Sequence, residues 1–181
     1  MSGRNPRAGA RDMVLTMAVL MIPVLLIVWF FQRTPDEPPL PVVNWQEQVA
    51  LARKQADFEV LAPASLPDGW RATQASFSQA GGGQGSAYDE LRLGFLNADN
   101  LNLQVRQAKT SNARAFLTQN TRDGYDSGAQ KVGDQVWKQV TSADGRTTYL
   151  LGERPDSLVL VSGDTSAATL VAFAGMLTTA G

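Results

Sequence analysis

The chain has 181 residues, 44% of them hydrophobic, and a net charge of −1, which leaves room for one ordinary domain and an appendage. It contains no cysteine and no histidine, so disulfides, thiol nucleophiles, the commonest general base and the usual zinc ligands are excluded. Residues 34–181 hold 12 basic and 16 acidic residues, whereas nucleic-acid binding needs clustered positive charge. We therefore expect no nucleic-acid partner.

The first predicted element is a transmembrane helix over residues 13–31, which carry no charged side chain. At about 1.5 Å per residue it would cross roughly 28 Å, close to the thickness of the bilayer hydrocarbon. Residues 1–12 carry three arginines against one aspartate, so they are predicted to form a cytoplasmic tail. A cleaved signal peptide is the alternative, but the chain offers no small residues at a cleavage site after the apolar run. We expect a single-pass signal anchor in the plasma membrane, with the lipid bilayer contacting residues 13–31.

A Pro-rich linker is predicted over residues 32–43, before an extracytoplasmic domain at residues 44–181. Its prolines favour extended polyproline geometry, so the linker is expected to act as a semi-rigid spacer. The domain is predicted to begin with a helix from Asn44 to about residue 56. Asn44 and Glu47 have the spacing of a capping box, in which the two side chains satisfy backbone N–H groups at the helix start.

Short strands are predicted to make up most of the domain. The candidates are residues 58–62, 70–78, 91–96, 101–106, 134–142, 146–153 and 157–163. The clearest pair is the hairpin of residues 91–106, because apolar and polar residues alternate on both arms of its N-A-D-N turn. The run S-L-V-L-V-S at residues 157–162 is apolar on both faces, which predicts a central strand.

Two further helices complete the predicted fold, one at residues 112–120 and one at residues 165–178. The second has an apolar stripe suited to packing on a sheet, formed by Leu170, Phe173, Ala174 and Leu177. The predicted fold class is α+β: an N-terminal transmembrane helix, then an antiparallel β-sheet of six or seven strands. We expect the helices to pack on one face of the sheet, including the C-terminal helix.

Five short motifs occur in a characteristic order along the chain. They are A-R-D-M-V-L at 10–15, P-x-x-L-P-D-G-W at 63–70, L-R-L-G-F-L at 91–96, G-D-Q-V-W at 133–137 and V-S-G-D-T-S at 161–166. With these motifs the chain resembles an actinobacterial family of single-pass, membrane-anchored envelope proteins, a domain of unknown function. The resemblance implies topology and fold class but no activity.

The second half of the chain is also similar to the outer domains of membrane anti-sigma factors and of lipoprotein carriers. In those proteins too, a strand, a glycine and a final helix close the sheet. The predicted cytoplasmic tail departs from the anti-sigma pattern, because twelve residues are too few to form a sigma-binding domain. Signalling of that kind would need a partner to supply the inner half.

No catalytic residue, cofactor or metal site is predicted. Asp89 and Glu90 are adjacent in sequence, and adjacent residues of a strand face opposite ways, so they do not form the carboxylate pair of a glycosidase. The loop G-G-G-Q-G-S at residues 81–86 has neither the final glycine of a dinucleotide fingerprint nor the lysine of a P-loop, and is predicted to be a hairpin loop. No calcium-loop spacing occurs. A carboxylate-based hydrolase is the residual alternative to a non-enzyme.

The candidate interaction surface consists of Arg92, Gln104, Arg106 and Trp70. The first three project from the side of the hairpin opposite its apolar residues. If no helix covers that side, they form a polar surface for a partner or an anionic head group; the alternative is a solvated sheet face. Trp70 follows the turn L-P-D-G, which would place its ring either against a ligand or in the core.

The sequence is compatible with two functions. The first is a non-enzymatic interaction or accessory module of the cell envelope, with a membrane or envelope protein complex as its partner. The second is a binding or carrier domain for lipid or another apolar ligand. The carrier requires a sizeable apolar cavity, whereas the interaction module requires a packed core and an exposed apolar patch.

Overall fold

A computed structural model describes residues 6–31, 43–82 and 87–179. The chain divides into two compact units, Met1–Leu40 and Pro41–Gly181. In the first unit, helix α1 runs from Pro6 to Phe31 and contains Pro23, so it begins ahead of the predicted span. Judged on the described residues alone, no helix combines the length and the hydropathy that a membrane crossing requires. Parts of the predicted tail and linker, residues 1–5 and 32–42, lie outside the described residues.

The described part of the second unit contains three helices and nine strands. The helices are α2 (Trp45–Gln55), α3 (Ala113–Asn120) and α4 (Ala167–Gly175). The strands are β1 (Ala62–Pro63), β2 (Arg71–Ser78), β3 (Glu90–Leu96), β4 (Asn102–Ala108), β5 (Tyr125–Val132), β6 (Gln135–Thr141), β7 (Thr148–Glu153), β8 (Leu158–Gly163) and β9 (Leu177–Thr178).

Seven strands form one antiparallel sheet in the order β2-β3-β4-β8-β7-β6-β5. The central position of β8 confirms the prediction made from its two apolar faces. The predicted hairpin is also confirmed, since Phe95 of β3 lies opposite Leu103 of β4 and Leu93 opposite Val105. Strands β1 and β9 pair with each other in a separate ladder.

Each helix of the second unit begins with a side chain that caps its first turn. The side-chain oxygens of Asn44, Asn112 and Ser166 accept hydrogen bonds from the backbone N–H groups three residues later. Such caps satisfy N–H groups that have no partner within the helix. The predicted start of α2 at Asn44 is therefore confirmed to within one residue.

The two faces of the sheet bury separate apolar clusters, because successive residues of a strand point to opposite faces. On the first face, α2 and α4 cover a large cluster in which the Phe95 ring meets the rings of Trp45 and Phe173 edge to face. On the second face, Phe116 of α3 packs in a smaller cluster with Leu151 and Leu160. The prediction that the helices pack on one face is therefore wrong, since the apolar residues on the second face also need a cover.

Three parts of the fold differ from the prediction. Strand β5, with the polar sequence Y-D-S-G-A-Q-K-V, was not predicted, because at the sheet edge most of its side chains are exposed and no apolar alternation marks it. In the candidate strand at residues 58–62 only Ala62 belongs to a strand, and that strand lies outside the large sheet. The final helix ends at Gly175 rather than at residue 178, and Leu177 instead belongs to β9.

Candidate functional site

A polar pocket with a volume of about 280 Å³ lies on the second face of the sheet. It is lined by Asn102, Gln104, Arg106, Asn120, Arg122, Thr147, Tyr149, Leu160, Ser162, Gly163 and Asp164. Strands β4, β8 and β7 supply its floor, where Ser162 of β8 lies between Gln104 and Tyr149 of the neighbouring strands. The floor thus joins residues that are far apart in sequence.

One wall of the polar pocket comes from the end of α3 and the residues after it. Asn120 donates through Nδ2 to the Phe116 carbonyl and accepts at Oδ1 from Arg106 Nη1. The chain then turns through two residues in the left-handed region, Arg122 with φ of 48° and Asp123 with φ of 55°. For residues other than glycine this conformation costs about 1–2 kcal/mol each, so the surrounding fold must hold Arg122 in place.

The opposite rim of the polar pocket is formed by Thr147 and Asp164, at the ends of β7 and β8. The Thr147 hydroxyl donates to Asp164 Oδ1 over 2.6 Å. Tyr149 lies behind them and is buried, and this burial raises the pKa of its phenol, while a hydrogen bond with Thr147 and the charge of Arg122 act in the opposite direction. The phenol therefore stays neutral at physiological pH. The rim contributes a carboxylate and hydroxyl groups to the polar pocket.

Arg92 and Arg106 form a cross-strand pair of like charges beside the polar pocket. Glu90 lies between them and is only 3% exposed. Its Oε2 lies 2.5 Å from Arg92 Nη2, and its Oε1 lies 3.7 Å from Arg106 Nη1. Burial, followed by the charge of Arg92, lowers the pKa of Arg106, whereas the hydrogen bond to Glu90 raises the pKa of Arg92. The buried carboxylate is what allows the two guanidinium groups to lie together.

The structure places three of the four residues of the candidate interaction surface together on the second face of the sheet. Gln104 and Arg106 line the polar pocket, and Arg92 lies beside Arg106 without lining it. Trp70 lies elsewhere: it is half-buried, and its ring centroid is 5.5 Å from that of Phe173 in the first-face cluster. The four residues therefore do not form one surface.

Sequence reasoning missed the residues that α3, β7 and β8 contribute to the polar pocket. They are Asn120, Arg122, Thr147, Tyr149, Ser162 and Asp164. Ser162 and Asp164 share the motif V-S-G-D-T-S, but the other residues belong to separate segments, so the pairing of β4 with β8 and β7 is needed to bring the set together. The left-handed backbone of Arg122 and Asp123 is likewise unmarked, since neither position is a glycine.

The adjacent carboxylates Asp89 and Glu90 bind different partners. Asp89 Oδ1 accepts the Ala80 N–H over 2.8 Å and its Oδ2 accepts the Asp57 N–H over 3.3 Å, whereas Glu90 pairs with the two arginines. Asp89 thus holds loop segments to the sheet. Among the residues that the structure describes, no group of three or more acidic side chains could hold a metal ion. Most of the glycine-rich loop, residues 83–86, lies outside them.

Two larger surface depressions also lie on the described part of the second unit. One, of about 490 Å³, lies between α3 and the strands β6 and β7, and Arg114, Leu117 and Lys138 are among its lining residues. The other, of about 630 Å³, lies at the turn between β7 and β8. Both are open and lined by mixed polar and apolar groups, unlike the enclosed apolar cavity that a lipid carrier requires.

Comparison with curated proteins yields no match for this chain. A family profile does match it, over residues 7–177 and therefore over nearly its whole length. The chain belongs to this family, described as "Protein of unknown function (DUF4245)", which confirms the expectation of a family of unknown function.

Proposed function

We propose that the protein is a membrane-anchored, non-enzymatic interaction module of the cell envelope. In this proposal residues 13–31 cross the plasma membrane, with residues 1–12 in the cytoplasm. The second unit is the extracytoplasmic module, and a membrane or envelope protein complex is its partner.

The observation that carries the proposal is the exposure of apolar side chains along α1. Its large apolar residues between Met13 and Trp29 are all exposed, from 42% for Val28 to 72% for Met13. A helix that is apolar on every side needs a cover, either protein or lipid. The described residues of the first unit form this one helix, and the sequence continues the uncharged stretch to residue 31. A bilayer is the cover that suits such a helix.

The second unit differs from α1 in the exposure of its apolar residues. Its exposed large apolar side chains among the described residues are Leu51, Tyr125 and Val136. Its core is packed on both faces of the sheet. The packed core supports an independently folded module and weighs against a lipid carrier, which needs apolar space within the fold.

The test is to express the full chain with a C-terminal tag and to compare it with the double variant Leu20→Lys, Val24→Lys. Each lysine near the middle of a span costs about 2.5–3.5 kcal/mol on insertion scales. We expect the unchanged chain to stay in the membrane fraction after an alkaline carbonate wash and the double variant to be released. The double variant Leu20→Ala, Val24→Ala is the matched control and should remain in the membrane.

Gentle solubilisation and native mass spectrometry then test the interaction role. We expect proteins that co-purify with the unchanged chain and are absent from the lysine variant. A chain that purifies alone, with a reproducible lipid-sized mass on residues 34–181, would reject the interaction module and favour the carrier. Release of the unchanged chain by carbonate would reject the anchor.

A further inference from the structure

We propose that the polar pocket binds a small oxyanion that carries hydroxyl groups, namely a phosphate or carboxylate on a short polyol. This inference goes beyond the proposed function and does not depend on the anchor. It rests on the charge, the available hydrogen-bonding groups and the size of the polar pocket.

The charge of the polar pocket is opposite to that of the region around it. Residues 34–181 carry 12 basic and 16 acidic residues, yet the lining contains two arginines, Arg106 and Arg122, against the single carboxylate of Asp164. Guanidinium groups bind phosphate and carboxylate through paired N–H groups. The local surplus of positive charge favours an anion.

Both arginines have N–H groups available for a ligand. The contacts of Arg106 with Asn120 and Glu90 among the described residues use Nη1, which leaves the donors at Nη2 and Nε. Arg122 is exposed and makes no side-chain hydrogen bond or ion pair with the described residues. Glu90 and Asn120 thus position Arg106, while the left-handed backbone fixes the place from which Arg122 extends.

The other side chains that line the polar pocket are better suited to binding hydroxyl groups of a ligand than to binding a second charged group of it. Gln104, Asn102 and Ser162 offer both donors and acceptors. Asp164 uses Oδ1 to accept from Thr147, so Oδ2 can accept a ligand hydroxyl, and its charge disfavours a second anionic group nearby. A volume of about 280 Å³ lies just below the range of roughly 300–1,000 Å³ common for drug-sized ligands. The polar pocket therefore fits a short polyol and not an acyl chain.

Such a ligand has two possible sources, a free metabolite or the head group of an anionic lipid. The full chain in phosphatidylcholine nanodiscs is titrated calorimetrically with glycerol 3-phosphate, with glycerate and with neutral glycerol. It is then titrated with vesicles of phosphatidylcholine with and without phosphatidylglycerol. Arg122→Gln is the primary variant because the Arg122 side chain is exposed and makes no hydrogen bond or ion pair with the residues that the structure describes. Arg114→Gln removes the same charge from α3 at the neighbouring depression and is the matched control.

We expect one of the anionic probes to bind and glycerol not to bind. Arg122→Gln should weaken binding about tenfold or more, because a charge-assisted hydrogen bond is lost, and Arg114→Gln should leave it unchanged. Binding of a free probe identifies a metabolite site, and binding confined to phosphatidylglycerol vesicles identifies a head-group site. Failure of every anionic probe to bind, or equal effects of the two variants, would overturn the proposal. Membrane retention is measured separately, so this failure differs from failure of the proposed function.

Discussion

Gln107 shows how one buried amide can hold an irregular segment on the sheet. Its side chain is 0% exposed and lies among the apolar residues of the first face. Its Oε1 accepts the Leu61 N–H over 2.8 Å, and its Nε2 donates to the Glu59 carbonyl over 2.7 Å and to Ser157 Oγ over 3.0 Å. These bonds replace the strand pairing that was predicted for residues 58–62, and so satisfy backbone groups that would otherwise be buried without partners.

Replacing Gln107 by methionine should lower the free energy of unfolding by about 2–4 kcal/mol, because the N–H of Leu61 and the carbonyl of Glu59 lose their partner. Chemical unfolding of the full chain in detergent, followed by tryptophan fluorescence, measures the change. Gln104→Met, on the same strand but facing the other side, is the control and should change stability by about 0.5 kcal/mol or less. Equal losses in the two variants would contradict this role of Gln107.

Trp137 shows how far a local pattern reaches at the scale of one residue. It belongs to the strand predicted at residues 134–142, and it is 2% exposed. The sequence does not reveal its neighbour: a Cβ at Gly152 would lie 2.5 Å from Trp137 Cε2, so only glycine leaves room for the indole. A local sequence pattern can predict that a residue is buried. It cannot predict which residue of another strand packs against it.

At the scale of elements, strands with one or two apolar faces were predicted and the polar edge strand was not. The hairpin of β3 and β4 has the alternation that burial of one face produces, and β8 has the continuous apolar run of a central strand. Strand β5 has one buried residue, Val132, and six exposed ones. Its strand conformation depends on hydrogen bonds to β6, which leave no signal in the side-chain pattern.

The edge position of β5 predicts that its backbone amides exchange their hydrogens quickly. Strand β8 pairs on both sides, whereas β5 pairs with β6 alone among the described strands. We expect the β5 amides to exchange on the order of a hundredfold faster than those of β8, since edge strands open locally while central strands exchange only through global unfolding. Exchange measured by mass spectrometry on the full chain in detergent tests this. Protection of β5 equal to that of β8 would mean that another strand or partner covers this edge.

At the scale of the whole molecule, the α+β class, the antiparallel sheet and the C-terminal helix could be predicted, because each depends on local periodicity. The polar pocket could be predicted only in part. Gln104 and Arg106 share one strand and one face, so alternation places them together. The order of the strands and the turn after α3 bring three more residues to the polar pocket: Arg122, Tyr149 and Asp164. No local pattern in a single sequence predicts that strand order or that turn.

The proposed function depends most on its topology, in which the second unit lies outside the membrane and the N-terminus inside. The chain contains no cysteine, so a single introduced thiol reports one position without background. The direct measurement is labelling of intact cells with a membrane-impermeant maleimide, using Ser111→Cys in the exposed turn before α3 and Ser2→Cys near the N-terminus. This topology predicts that Ser111→Cys is labelled in intact cells and Ser2→Cys only after lysis. Labelling of Ser111→Cys only after lysis would contradict it.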